Sequence, residues 1–281
     1  MTRIISYCFC LFLSFALPYW AWETVPEFRS FVNQLLSLGK FQTLEVRYSP
    51  ESIMERNRRQ LLLDAEHAYL EPQLTFYPYL LMEVKYTAQN SQKTAEGILL
   101  WSLIDGEMVI NTSNWQETHG FSDCIYARAG KQEFKIINTL VDHGGRLDRE
   151  GLVKALKNVE NEKLNLMLEN CRRKNLIVQK GNIYRLHMQD PKLGVRPITN
   201  IDQRLVTKPA KKAERMTARF RTTHIKETAK AAFGEDFAIR KEMLVYLPVY
   251  LITVQNPDGS QMTTFWNALN GKQIDQPYYL G

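Results

Sequence analysis

The 281-residue chain lacks the short signatures that announce common catalytic or nucleotide chemistry. It has no glycine-rich phosphate loop, no H-E-x-x-H, no C-x-x-C and no G-x-S-x-G. Histidine is scarce: five in all, His67, His119, His143, His187 and His224, scattered and not at ligand spacing. The pair Asp142-His143 could orient a base, but the sequence places no nucleophile beside it. These absences predict a protein that is not an enzyme and that holds no cofactor or metal. Cysteine is nearly as rare, with four residues. Cys8 and Cys10 lie inside an apolar run, where packing is the expected role. That leaves Cys124 and Cys171 as the one candidate disulfide pair, which an exported chain could form.

What is present is an ordinary globular composition, 44% hydrophobic, in a chain long enough for two or three domains. Net charge is +6 and the pI about 9.0. That excess suits an anionic partner, a membrane surface or nucleic acid, without requiring one.

Residues 1–22, MTRIISYCFCLFLSFALPYWAW, bear on the compartment. Arg3 precedes an uncharged run from Ile4 to Trp22, with small residues at Ser14 and Ala16 before a cut at Leu17. This reads as a signal peptide. The run is also about the 17–20 residues that can span a bilayer, so an uncleaved membrane anchor is the alternative. Arg3 favours a cytoplasmic N-terminus, and the rest is expected outside: in the periplasm, secreted, or anchored at the membrane. Past the leader, Thr24 and Glu27 suit a capping box for a helix to Leu38, closed by Gly39. Phe41 to Tyr48 reads as a strand. Ser49-Pro50 opens a predicted helix to about Tyr69, with Arg56, Arg58 and Arg59 on its wet face.

The centre of the chain is KQEFKIINTLVDHGGRLDREGLVKALKNVENEKLNLMLENCRRKNLIVQKGNIYRLHM, residues 131–188. Phe134, Ile137, Leu140 and Val141 recur at helical spacing before His143-Gly144-Gly145. Asp148 is a plausible N-cap for a second helix carrying Leu152, Val153 and Leu156. Leu164, Leu168 and Cys171 mark a third, ending in Arg172-Arg173-Lys174. Two short β-runs then flank a turn at Gly181-Asn182. Three helices and a hairpin at these lengths resemble the winged-helix family over residues 131–189. The resemblance implies that residues 158–170 are the groove-entering helix and residues 179–184 the wing. The candidate partner or nucleic-acid contacts are then Lys163, Arg172, Arg173, Lys174, Lys180 and Arg185. Glu160, Glu162 and Glu169 argue against DNA, because phosphate repels them. Export would remove the chain from a chromosome altogether. A protein partner of unspecified identity is the leading expectation, and a cytoplasmic DNA-binding regulator the alternative.

Two stretches flank this centre and match each other. With Pro78 set on Pro248, the residues Leu81, Met82 and Val84 fall on Leu251, Ile252 and Val254. Trp101-Ser-Leu-Ile-Asp105-Gly106 then falls on Trp266-Asn-Ala-Leu-Asn270-Gly271. Each reads as strand, loop, strand, tight turn and strand, preceded by a helix. The two tryptophans are expected to pack the sheet on its helix, with sugar stacking as the sharper alternative. A helix over such a meander resembles the PepSY family of envelope modules, although neither turn carries that family's fuller Asp, Thr and Gly motif. The resemblance implies an inhibitory or chaperone-like binding module.

The predicted fold class is therefore α+β, with two helix-plus-antiparallel-meander repeats (23–125 and 222–281) flanking a winged-helix-like domain. Residues 190–221 read as a basic linker. Within it Lys211, Lys212, Arg215, Arg219 and Arg221 are candidate contacts to an anionic surface, such as a membrane, or else a solvated helix face.

Overall fold

The computed structural model describes residues 39–62, 66–87, 94–188, 190–211 and 213–274. The predicted leader and the helix over 24–38 lie outside the described residues. The chain divides into two compact units, 1–41 with 207–212, and 42–206 with 213–281. In the first, the Ala210 amide donates to the Gly39 carbonyl at 2.6 Å. The second contains the cores and clefts described below.

The fold is mixed α and β, built on a large sheet. In chain order the elements are β1 (Lys40–Leu44), α1 (Pro50–Arg56), α2 (Arg58–Leu61), β2 (Ala68–Tyr69), β3 (Gln73–Thr87), β4 (Thr94–Ser102), β5 (Met108–Asn111) and β6 (Gln116–Glu117). Then come α3 (Phe121–Tyr126), α4 (Lys131–Asp142), β7 (Arg146–Asp148), α5 (Arg149–Ala155), α6 (Asn161–Arg173), β8 (Ile177–Lys180) and β9 (Ile183–Leu186). The last are β10 (Leu205–Pro209), β11 (Glu214–Arg215), α7 (Thr222–Phe233), β12 (Ala238–Gln255), β13 (Gln261–Asn267) and β14 (Gln273–Ile274).

The long strands β3 and β12 run antiparallel at the centre of the sheet, with Tyr77 opposite Leu247. Around that pair the two meanders are laid out alike. Leu80 faces Trp101 across β3 and β4, and Tyr250 faces Trp266 across β12 and β13. The Leu103 amide donates to the Pro78 carbonyl at 3.0 Å, and the Ala268 amide to the Pro248 carbonyl at 3.1 Å. The first turn is held by the Asp105 carboxylate on the Glu107 amide, the second by the Asn270 side-chain oxygen on the Lys272 amide, both at 2.9 Å.

The helices cross over. Helix α1 precedes the first meander in sequence, yet its Ile53 packs with Tyr250, Ile252 and Trp266 of the second. Helix α7 precedes the second, and its Ile225 and Ala229 pack with Leu80, Met82 and Trp101 of the first. The sequence expectation that each tryptophan packs against its own preceding helix is corrected here. The approach strands fix the exchange: Thr43 of β1 pairs with Tyr246, and Arg215 of β11 with Phe76. Backbone amides repeat it, since Arg47 and Tyr48 both donate to the Ala268 carbonyl, and Arg219 and Phe220 to that of Leu103. Both tryptophans are buried, Trp101 fully and Trp266 at 2% exposure, which leaves no face for a sugar.

Both faces of β3 are covered, which explains its nearly unbroken apolar run. Leu80, Met82 and Val84 meet α7 and the central helices, while Tyr77, Tyr79 and Leu81 meet a second cluster with Val245, Leu247 and Val249. Helix α1 stops at Arg56, and α2 ends at Leu61, short of the predicted Tyr69. Ser49 caps α1 with Pro50 in its first turn, as the sequence indicates.

The central unit is α4, β7, α5, α6 and the β8–β9 hairpin, whose strands form a three-stranded sheet in the order β7-β9-β8. Asp148 caps α5 by accepting the Gly151 amide at 2.7 Å. His143 ends α4, and Gly144 and Gly145 follow at φ +73° and +82°. Strand β7 is an addition to the sequence reading. Phe134, Ile137, Leu140, Leu152, Leu164, Leu168 and Cys171 join one core with the first meander and α7.

Candidate functional site

A cleft of about 860 Å³ opens where α4, the start of α6, the end of α7 and residues 193–197 meet. Its lining includes the half-buried Val141, Val159, Val195 and Phe233 and the buried Met167, an apolar patch among polar side chains. Around it stand the exposed cations Lys131, Lys135, Lys163 and Arg196, and the carboxylates Asp142 and Glu235. Lys131 and Glu235 form an exposed pair at 3.5 Å. Lys135, Lys163 and Arg196 form no ion pair among the described residues.

The walls are fixed by specific contacts. The Asn138 side-chain amide donates to the Ala232 carbonyl at 3.1 Å and ties α4 to the end of α7. Residues 190–204, expected as linker, are laid against the sheet. Thr199 is buried, accepts the Leu100 amide at 2.9 Å and donates to the Val109 carbonyl. This holds Leu193 to Pro197 over α4, where a Cβ at Gly194 would meet Val141 Cγ1 at 2.8 Å. Glycine is what permits that approach. Glu133 caps the start of α4 by accepting the Gly130 amide at 3.0 Å and pairs with Lys174 Nζ at 2.8 Å. Burial works to raise the Glu133 carboxyl, but the bonds from Lys174 and the backbone outweigh it, and the carboxyl lies below its ordinary range.

Of the contact residues read from the sequence, only Lys163 is on the cleft. Lys174 is committed internally, to Glu133 and to the Arg128 carbonyl at 2.9 Å. Arg172 and Arg173 line a second hollow of about 580 Å³ between α6 and the hairpin, with Asn165, Glu169, Gln179 and Tyr184. Arg172 donates to Gln179 at 3.1 Å and Arg173 to Asn170. Lys180 and Arg185 are exposed on the hairpin. In the basic tract, Lys211 is exposed and Lys212 lies outside the described residues. Arg215 lies in β11, and Arg219 stacks over Tyr126 at 5.2 Å and Phe220 at 5.7 Å. Arg221 is the N-cap of α7. Arg215, Arg219 and Arg221 thus precede a helix that starts at Thr222. Cys124 and Cys171 are free, buried thiols, the second pushed up to about 12 chiefly by burial.

A third place gathers titratable groups that the sequence reading did not single out. Buried Glu107 accepts the Thr118 hydroxyl at 2.7 Å and the amides of Gly120, Phe121 and Ser122 at 2.9, 3.2 and 3.0 Å. It therefore ties the first meander to the start of α3. Half-buried Glu117 accepts the Tyr79 hydroxyl at 3.4 Å. Burial raises its carboxyl well above the ordinary range, and the charges of Asp105 and Glu107 add to that. Glu107 is satisfied by structural donors, and this cluster is an anchor. No group of histidine, cysteine and carboxylate side chains suited to a metal occurs among the described residues. No described helix is long and apolar enough to cross a membrane. Comparison of the chain with protein-family models, with curated proteins and with solved structures gives no match in any of the three.

Proposed function

We propose that this chain is a non-enzymatic protein-interaction module, exported or held at the membrane by its N-terminal segment, in a bacterial-type envelope. Its meanders are two copies of one unit, and residues 131–189 are a winged-helix-like insertion that supplies the contact surface. The matched registers around Tyr77 and Leu247 support the first statement. The order helix, strand, helix, helix, hairpin with its three-stranded sheet supports the second. The observation that carries the function is the cleft: an open lining with an apolar patch beside Lys135, Lys163 and Arg196, cations that form no ion pair among the described residues.

The second reading is a cytoplasmic DNA-binding regulator. The hollow between α6 and the hairpin favours it, because Arg172, Arg173, Asn165 and Gln179 are residue types that contact phosphate and base edges. Glu169 in the same hollow weighs against it.

Fractionation of cells expressing the full chain, combined with a photo-crosslinking residue at position 163 or 180, tests both. The proposal expects the chain in the envelope or medium, with discrete protein adducts from position 163. An intact cytosolic chain that shifts duplex DNA in a salt-dependent way would overturn it.

A further inference from the structure

Resting on the reading of the cleft as a docking surface, we infer that its occupant is an acidic amphipathic helical segment of a partner protein. Three features of the cleft point to that chemistry.

The floor is the first. Val141, Val159, Val195 and Phe233 are half-buried, so they are open to solvent in the free chain and offer apolar area to a ligand. A site that encloses most of a small molecule would bury its lining more completely. An open trough suits an element that lays one apolar face down and keeps its other face wet, which is the helix-in-groove mode.

The rim is the second. Lys135, Lys163 and Arg196 come from three different segments, surround the floor, and form no ion pair among the described residues. Among the described residues the carboxylates on the lining are Asp142 and Glu235, and Glu235 is already paired with Lys131. The unopposed charge of the cleft is therefore positive. A segment with glutamate or aspartate flanking its apolar stripe would meet cations on more than one side.

The third is backbone polarity. Helices α4 and α6 both place first-turn residues on the lining, Lys131 and Gln132 of one and Lys163 of the other. Helix N-termini carry partial positive charge, which favours a carboxylate there; Glu133 and Glu162 in the same first turns offset part of it, so the net attraction rests on the rim cations. A basic partner would meet the same field with the wrong sign. A free fatty acid would offer one carboxylate to three cations and is the weaker match.

The test uses the purified full chain and a fluorescein-labelled 18-residue synthetic peptide. The peptide carries leucine at i, i+3, i+4 and i+7 spacing and glutamate on the flanks. A twin with lysine in place of each glutamate, and dodecanoate as competitor, complete the set. Fluorescence polarisation is expected to show saturable binding of the acidic peptide that weakens with salt. K135E/K163E should lower affinity for the acidic peptide about tenfold or more and confer binding of the lysine twin. R172E/R173E, in the other hollow, should leave both affinities unchanged. Equal affinity for the two peptides, insensitivity to K135E/K163E, or displacement of the peptide by stoichiometric dodecanoate would overturn the inference. Should position 163 still yield protein adducts in cells after such a result, the docking surface stands and only the chemistry assigned to its occupant fails. With adducts also missing, the docking reading itself falls. Circular dichroism of each variant separates loss of binding from loss of fold.

Discussion

The two meanders share a register and differ in what their turns do. At the first turn, Glu107 is buried and gathers a hydroxyl and three amides at the start of α3. At the matching place in the second turn, Lys272 is exposed. Trp101 donates its indole N–H to the Gly106 carbonyl, inside its own turn. Trp266 donates instead to the Thr264 hydroxyl, two residues back on the same strand. The two meanders thus pair alike along the backbone and differ in side-chain chemistry. The lesson is that the first meander is tied to the central unit, through Glu107 and the start of α3, whereas β13 of the second pairs with β12 and β14.

Four substitutions sharpen or break that comparison. Trp101→Ala should have the largest effect, about 3–5 kcal/mol by urea unfolding. It should exceed Trp266→Ala, because Trp101 also packs on Phe121 at a ring separation of 4.8 Å. Equal losses would mean that α3 adds nothing to the first meander. Next is Glu107→Gln, which weakens several charge-assisted bonds at once and should cost roughly 2–3 kcal/mol. Lys272→Gln should be close to neutral, and a matching cost there would end the contrast. Third is Gly106→Ala, at φ +82° with the Phe220 ring 2.9 Å from the added Cβ. It should cost more than Gly271→Ala, at φ +67° with the Tyr48 ring 3.4 Å away, for which about 1 kcal/mol is expected.

Glu117→Gln is the smallest and has the opposite sign. Its folded carboxyl titrates above its ordinary value, so the native state holds a proton that the unfolded chain has lost. Stability associated with this group is present below the unfolded pKa and declines as pH rises through the folded one. The amide removes that decline. Melting should therefore rise at pH 7, by under about 3 °C, with no gain at pH 4. A variant that melts lower at pH 7 would contradict the assignment.

Much of the local structure was readable from sequence because its causes are local. Asp148 as a cap, Ser49-Pro50 as a helix start, and the stop after His143 each rest on a side chain acting within a few residues. The correspondence of Pro78 with Pro248 and of Trp101 with Trp266 was visible for the same reason. The crossing of α1 and α7 was not, because adjacency in sequence carries no record of which meander a helix covers. The packing of 190–204 rests on the Thr199 hydroxyl together with backbone bonds to segments far away in sequence, and the role of Glu107 on donors from Thr118 to Ser122. Neither polar residue stands out in a pattern of hydrophobic periodicity. The cleft was legible only through Lys163, since its other walls come from segments far apart in the chain.

Hydrogen–deuterium exchange of the full chain, with and without the acidic amphipathic peptide, tests the central claim most directly. The account predicts slowed exchange at residues 131–142, 158–167 and 193–197, and no change at residues 263–274 of the second meander. Protection confined to residues 172–185, or none at saturating peptide, would contradict it.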